Sequence, residues 1–289
     1  METSELLKKV RQIEIKTRGL SSNIFAGQYH SAFKGRGMAF SEVREYEFGD
    51  DTRDIDWNVT ARYSKPYVKI FEEERELTVM LLIDVSGSKD FGTQGMTKKD
   101  MITEIAATLA FSAIQNNDKI GVIFFSDRIE KFIPPQKGKK HILYVIRELI
   151  DFEPVNVKTD ISQVLQYLTN AIKKRCTTFI ISDFIDNQTY QHALTIANRK
   201  HDIVAIQVFD ERETEIPNVG LIQIKDAESG TDQWIDTSSK RVRQGFKQWW
   251  EKRQTEMLQS FKKSRVDFVS VRTDEDYVKA LMNLFHQRA

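Results

Sequence analysis

Asp84, Ser86 and Ser88 stand at alternate positions directly after the apolar run TVMLLI, residues 78–83. A carboxylate and two hydroxyls at that spacing put three hard oxygen donors on one short loop, the beginning of a divalent-cation site. Two other places offer the same chemistry. Asp183 ends the run TTFIIS, and Thr159 with Asp160 precedes an apolar helical pattern that starts at Ile161. Mg²⁺ takes about six oxygens at ~2.1 Å, keeps several waters and needs few acids, so hydroxyls with one or two carboxylates suit it. None of these positions is His or Cys, which argues against zinc. Each piece also has a plainer reading. Asp-x-Ser after a strand is a common turn or cap, Asp183 followed by Asp186 and Asn187 has the same explanation, and Thr159 can serve as an N-cap. Ligation gains on capping because the three pieces fall on one predicted rim.

That rim exists only if the flanking runs are strands of one sheet. From Pro66 onward the pattern alternates between strands and helices. Strands are predicted at Thr78 to Asp84, Lys119 to Ser126, Thr177 to Ser182, Ile203 to Phe209 and Asp267 to Val271. Helices are predicted at Lys98 to Asn116, Lys139 to Phe152, Ile161 to Lys174 and Tyr190 to Arg199. Such alternation is the signature of an α/β fold, a Rossmann-like doubly wound, mostly parallel sheet with helices on both faces. Ligands in such sheets collect beyond the carboxyl ends of the strands, where strand order reverses. Arg128 to Ile133 can add an antiparallel edge strand.

A β-hairpin over Val219 to Ile235, with its turn near Ser229 and Gly230, and a long surface helix over Arg241 to Lys263 interrupt the last alternation. They read as an insertion at about 216–264 of a domain spanning 76–289. Trp249 and Trp250 lie on neighbouring flanks of that helix, so one should pack on the sheet while the other is partly exposed. Residues 1–75 form the other part: an amphipathic helix from about Ser4 to Arg18 on Leu6, Leu7, Val10 and Ile13, then a Gly-rich stretch, then an irregular segment over Met38 to Lys65 rich in Arg, Asp and aromatics.

Composition removes several function classes. The 289 residues carry 43 Lys and Arg against 42 Asp and Glu, a formal charge of +1, which is not the excess that nucleic-acid binding needs. The single cysteine, Cys176, allows neither an internal disulfide nor a zinc cluster and suits a reducing compartment. The first residues, METSELLKKVRQIEIKTRGL, hold no apolar core of signal-peptide length, and no run approaches the roughly 20 apolar residues of a membrane span. The expectation is a soluble, cytoplasmic protein. His30, His141, His192, His201 and His286 are scattered and point to no site.

The run Asp84-Val85-Ser86-Gly87-Ser88, then Thr159, then Asp183 in ISDF, resembles in order and spacing the metal-ion-dependent adhesion site of von Willebrand factor A domains. The resemblance implies that Asp84, Ser86, Ser88, Thr159 and Asp183 surround a divalent cation, Mg²⁺ or else Mn²⁺ or Ca²⁺. Lys158 precedes Thr159 where the family often has Gly, and Lys89 stands where many relatives carry Met. Upstream, Ser31 to Gly37, Arg44-Glu45-Tyr46, Gly49-Asp50, Arg53, Ile55-Asp56-Trp57 and Ala61-Arg62 resemble the signature of the bacterial family called domain of unknown function fifty-eight. The combined resemblance covers roughly Gly27 to Val208. It implies a MoxR-type AAA+ ATPase, and other von Willebrand factor A proteins, as partners. Within the signature, Arg44, Arg53 and Arg62 beside Asp50, Asp54 and Asp56 suggest an ion-pair network anchored by Trp57, in preference to a binding face for a phosphate or acidic peptide.

The resulting expectation is a non-enzymatic, metal-dependent protein-interaction module, an adaptor or assembly factor. The alternative is a Mg²⁺-dependent phosphatase-like hydrolase using Asp84 as nucleophile. Haloacid-dehalogenase-like phosphatases want a second acid two residues on, and that position is Ser86. Ser86 also lacks a Gly-x-Ser-x-Gly elbow, and the chain has no P-loop.

Overall fold

The segment expected to be irregular, Met38 to Lys65, opens with a strand that pairs with another just beyond it. In the computed structural model, which describes residues 29, 32, 38–73, 77–87, 91–92, 96–155, 158–186, 188–225 and 232–288, Met38–Glu45 (β1) pairs antiparallel with Tyr67–Glu73 (β2). The register slips between Phe40 and Glu42, where one extra residue breaks the period of two. Mixed charges along VREYEF obscure the pattern further. Between the strands lie a 3-10 turn at Thr52–Asp54 and a short helix, Trp57–Tyr63 (α1). Of the described residues, those between 38 and 77 make one compact unit, and those from 78 onward, with residues 29 and 32, another.

Arg44 closes the turn of the smaller unit, donating to both oxygens of Asp50 at 2.8 Å, while Asp50 also accepts from the Glu47 amide. Arg53 pairs with Asp51 rather than with Asp54 or Asp56. Asp56 instead caps α1 through the amides of Asn58 and Val59. Trp57 is 69% exposed and is not the expected anchor. It shares the outer face of α1 with Asn58 and Ala61, whereas Val59 and Thr60 face inward.

In the larger unit, the β-branched and aromatic runs become Thr78–Asp84 (β3), Lys119–Phe125 (β4), Thr177–Ser182 (β6) and Asp202–Phe209 (β7). With Ile129–Gln136 (β5) and Asp267–Arg272 (β10) they form one six-stranded sheet, ordered β10-β7-β6-β3-β4-β5. All neighbours are parallel except β4 and β5. Strand order reverses between β3 and β6, as in doubly wound folds. Gly121 in β4 lies where the β5 register slips; a Cβ there would meet the Ile133 carbonyl oxygen at 2.9 Å, so only glycine admits β5 this closely. Tandem Pro134 and Pro135 occupy that edge strand.

Ile161–Ala171 (α4) and Gln191–Lys200 (α5) cover one face, and their apolar stripes join Leu82, Ile180 and Ala205 in a single core. Lys98–Gln115 (α2) and Tyr277–Arg288 (α8) pack together elsewhere through Thr108 and Tyr277, and α2 is buried along most of its length. Lys139–Asp151 (α3) packs beside α2. After β7 come the single turn Glu211–Thr214 (α6), the hairpin Leu221–Lys225 (β8) and Asp232–Asp236 (β9), and Lys240–Ser264 (α7). α7 is more than a surface helix. Trp250, Met257 and Phe261 form a buried stripe, and the last two enter the α4–α5 core. The low hydropathy of its remaining residues hides this stripe in the sequence. Trp250 packs on Phe209 while Trp249 is partly exposed beneath Arg253, as expected. The expected helix at Ser4 to Arg18 and the turn at Ser229 and Gly230 lie outside the described residues. Among the described residues no helix is long and apolar enough to cross a membrane.

His201, at the start of β7, is fully buried with Nδ1 3.2 Å from the Cys176 sulfur and Nε2 without a partner. Burial, then Lys200 and Arg175, pulls its imidazole down to about 4. The unfolded chain therefore takes up a proton first, near the ordinary value of about 6.5. Stability is complete above that value and declines as pH falls toward 4. Urea midpoints should follow this decline in the wild type, and His201→Gln should flatten it; identical slopes would refute the assignment.

Candidate metal centre

β3 and β6 run parallel with Ile83 beside Ile181, so the next residues, Asp84 and Ser182, are neighbours at the point where strand order reverses. Asp84 is buried, and its two oxygens are both engaged. Oδ1 accepts from the Ser86 amide at 2.9 Å. Oδ2 accepts from the Ser182 hydroxyl at 2.6 Å, with the Thr159 hydroxyl at 3.5 Å. Burial, then the nearby Asp183 carboxylate, pushes the Asp84 carboxyl up to about 6, against the opposing pull of Ser182 and Ser86. Asp84, Ser86, Thr159 and Asp183 thus come together, all buried, on three loops beyond the strand ends. Ser88, the fifth expected ligand, lies outside the described residues.

Side chains beyond the expected set fix these loops. Immediately after Asp183 the backbone enters the left-handed region at Phe184 (φ 58°), where its amide donates to the Ser182 hydroxyl. The Phe184 ring is held between Tyr190 and Phe261. Asp186 joins two loops of the rim: Oδ2 accepts from the Ile161 amide at 2.9 Å and Oδ1 from the Gln188 amide at 2.7 Å. Asp160 is the helix cap, accepting from Gln163, and its amide donates to the Ser126 carbonyl at the end of β4. Thr159 is thereby left to face Asp84, and the capping role weighed against ligation falls to its neighbour.

Lys98, the first residue of α2, is 1% exposed. Its ammonium donates to Asp183 Oδ2 at 2.8 Å and to Glu213 Oε1 at 2.5 Å. Burial alone would lower its pKa, but Asp183 and Glu213 hold it above the ordinary lysine range. Glu213 is raised, because burial and Asp183 together outweigh the ammonium beside it. Lys98 is thus shared between Asp183 and Glu213, while Asp84 takes its donors from a backbone amide and neighbouring hydroxyls. Among the described residues no three His, Cys, Asp or Glu side chains converge as a metal cluster. A cation at this rim would rest on the hydroxyls of Ser86 and Thr159 with Asp84 and Asp183, a donor set that fits a hard ion such as Mg²⁺.

The sheet, doubly wound and parallel except at one antiparallel edge, has the von Willebrand factor A-like fold. The chain belongs to the family described as Protein of unknown function DUF58, whose sequence pattern matches residues 42–256. Among its relatives, the Rv1480 protein of Mycobacterium tuberculosis is 26% identical over 290 residues, covering 100% of this chain and 91% of its own. Bacillus subtilis YeaD is 26% identical over 131 residues, 45% of this chain and 29% of its own. Two solved structures share the fold: BatB from Bacteroides thetaiotaomicron, at 15% identity over 73% of this chain and 98% of that one, TM-score 0.50, and an aerotolerance-related membrane protein from Bacteroides fragilis, at 14% identity with the same coverage and TM-score.

Asp186→Ala would leave the buried Ile161 amide without its acceptor and untie the Thr159 loop from the Asp183 loop. A loss of about 1–3 kcal/mol in folding stability is expected from the unsatisfied donor. Guanidinium midpoints would measure it, and a variant as stable as wild type would rule out the tie.

Proposed function

We propose that this chain is a non-enzymatic protein-interaction module whose rim holds a divalent cation, Mg²⁺ or else Mn²⁺ or Ca²⁺. The observation that carries the reading is the meeting of two buried carboxylates and the Ser86 and Thr159 hydroxyls at the switch point. A bound cation held by neutral hydroxyls and few acids supplies residual positive charge for a partner's carboxylate. The chain's part is structural: Ser182 and Ser86 hold Asp84 in place, and Asp186 holds the Thr159 loop. The partner class that the sequence resemblance supports is a MoxR-type AAA+ ATPase, with other von Willebrand factor A proteins, in the cytoplasm. The chain would act there as an adaptor or assembly factor.

The hydrolase alternative has less support. The residue two positions after Asp84 is a serine rather than the second acid that such chemistry wants. The test is an affinity pull-down of the cognate ATPase with Mg²⁺ and with EDTA, for wild type and Ser86→Ala. Capture should require Mg²⁺ and drop at least about tenfold in the variant, the usual scale of a lost ligand or its support. Capture that ignores both EDTA and the substitution would sink the reading.

A further inference from the structure

Lys98 is placed against three ordinary preferences. It is a cation at a helix N-terminus, where the macrodipole disfavours positive charge. It is almost wholly withdrawn from water. Burial also immobilises a long side chain that normally keeps its ammonium in solvent. Helix initiation does not need it, since Thr97 and Asp100 already form a capping box. What the lysine gains is contact with two carboxylates, and one of them, Asp183, belongs to the rim.

We infer that Lys98 is a specificity-determining residue of the metal centre, a resident cation that competes with the divalent ion for Asp183 and keeps its affinity low. The inference rests on the metal-binding reading of the rim. A carboxylate shared between an ammonium and a metal ion gives each less than its full charge. The two cations also repel, and in a site drawn out of water that repulsion is weakly screened. Glu213 sets the balance from the other side. It offers the ammonium a second anion and so keeps it from settling on Asp183 alone. Because Glu213 sits on the single turn α6, directly after β7, the position of that turn decides how firmly Lys98 holds the rim.

The test is Mg²⁺ alone, titrated calorimetrically into the full chain as wild type and as Lys98→Met/Glu213→Gln. The double variant removes the ammonium and one carboxylate together, so the net charge around the rim is unchanged. It leaves Asp183 without the ammonium, which is the change under test, and removes the second carboxylate that the ammonium would otherwise leave behind. The variant should bind Mg²⁺ at least about tenfold more tightly, because the competing cation is gone. Binding by the variant alone carries the same meaning. Equal or weaker affinity overturns the role of Lys98 while leaving the metal reading standing, and binding by neither protein at millimolar Mg²⁺ overturns both. A second measurement needs no substitution: the ¹⁵N resonance of the Lys98 ammonium in wild type, assigned through its side chain, should move as Mg²⁺ is added. An unmoved resonance at saturating Mg²⁺ refutes the competition.

Discussion

Two carboxylates buried side by side are the constraint around which this molecule is arranged. Asp84 ends β3 and Asp183 follows the end of β6, the two strands between which the sheet reverses its order. Neither can move away from the other without breaking a parallel pair whose residues are almost all out of contact with water. Charge repulsion and desolvation both act against them, and Asp84 responds with a raised pKa. The surrounding structure offsets that cost locally. Ser182, Ser86 and Thr159 supply hydroxyl and amide donors to Asp84, and Lys98 supplies a full charge to Asp183. Removing Lys98 alone would break a buried ion pair, the costly case in protein interiors.

The same constraint ties the rim to parts of the chain that lie far away in sequence. Lys98 comes from the first turn of α2, Glu213 from the turn after β7, and Asp186 from the loop that also carries Phe184 against α7. The family match through residue 256 takes in β8, β9 and most of α7, further than the sequence resemblance from Gly27 to Val208 reached. Within that extent α7 packs Trp250 on Phe209, while Met257 and Phe261, which enter the core shared with α4 and α5, lie just past it.

The sheet and its covering helices were legible because each strand of the parallel part is a continuous apolar run, as strands buried on both faces must be. Asp84, Ser86, Thr159 and Asp183 were legible because their oxygens follow those runs directly. Lys98, Ser182, Glu213 and Asp186 were not, since each acts on a residue distant in sequence and carries no local spacing. A lysine at the first position of an otherwise apolar helix was the one available sign. The β1–β2 hairpin was hidden by its register slip and alternating charges, and Trp57 was misplaced because an aromatic beside Arg and Asp was taken for an anchor. In a helix of only seven residues, the inner face belongs to Val59 and Thr60.

The prolines of β5 bear on how this sheet meets other chains. Strand addition at a sheet edge requires backbone N–H groups; these alternate between the two sides of a strand, so of Pro134 and Pro135 one removes a donor from the open edge of β5. β10, at the opposite edge, has no proline and retains its full complement. The two edges of the six-stranded sheet therefore differ: proline hinders pairing with a further strand at β5, and no proline does so at β10.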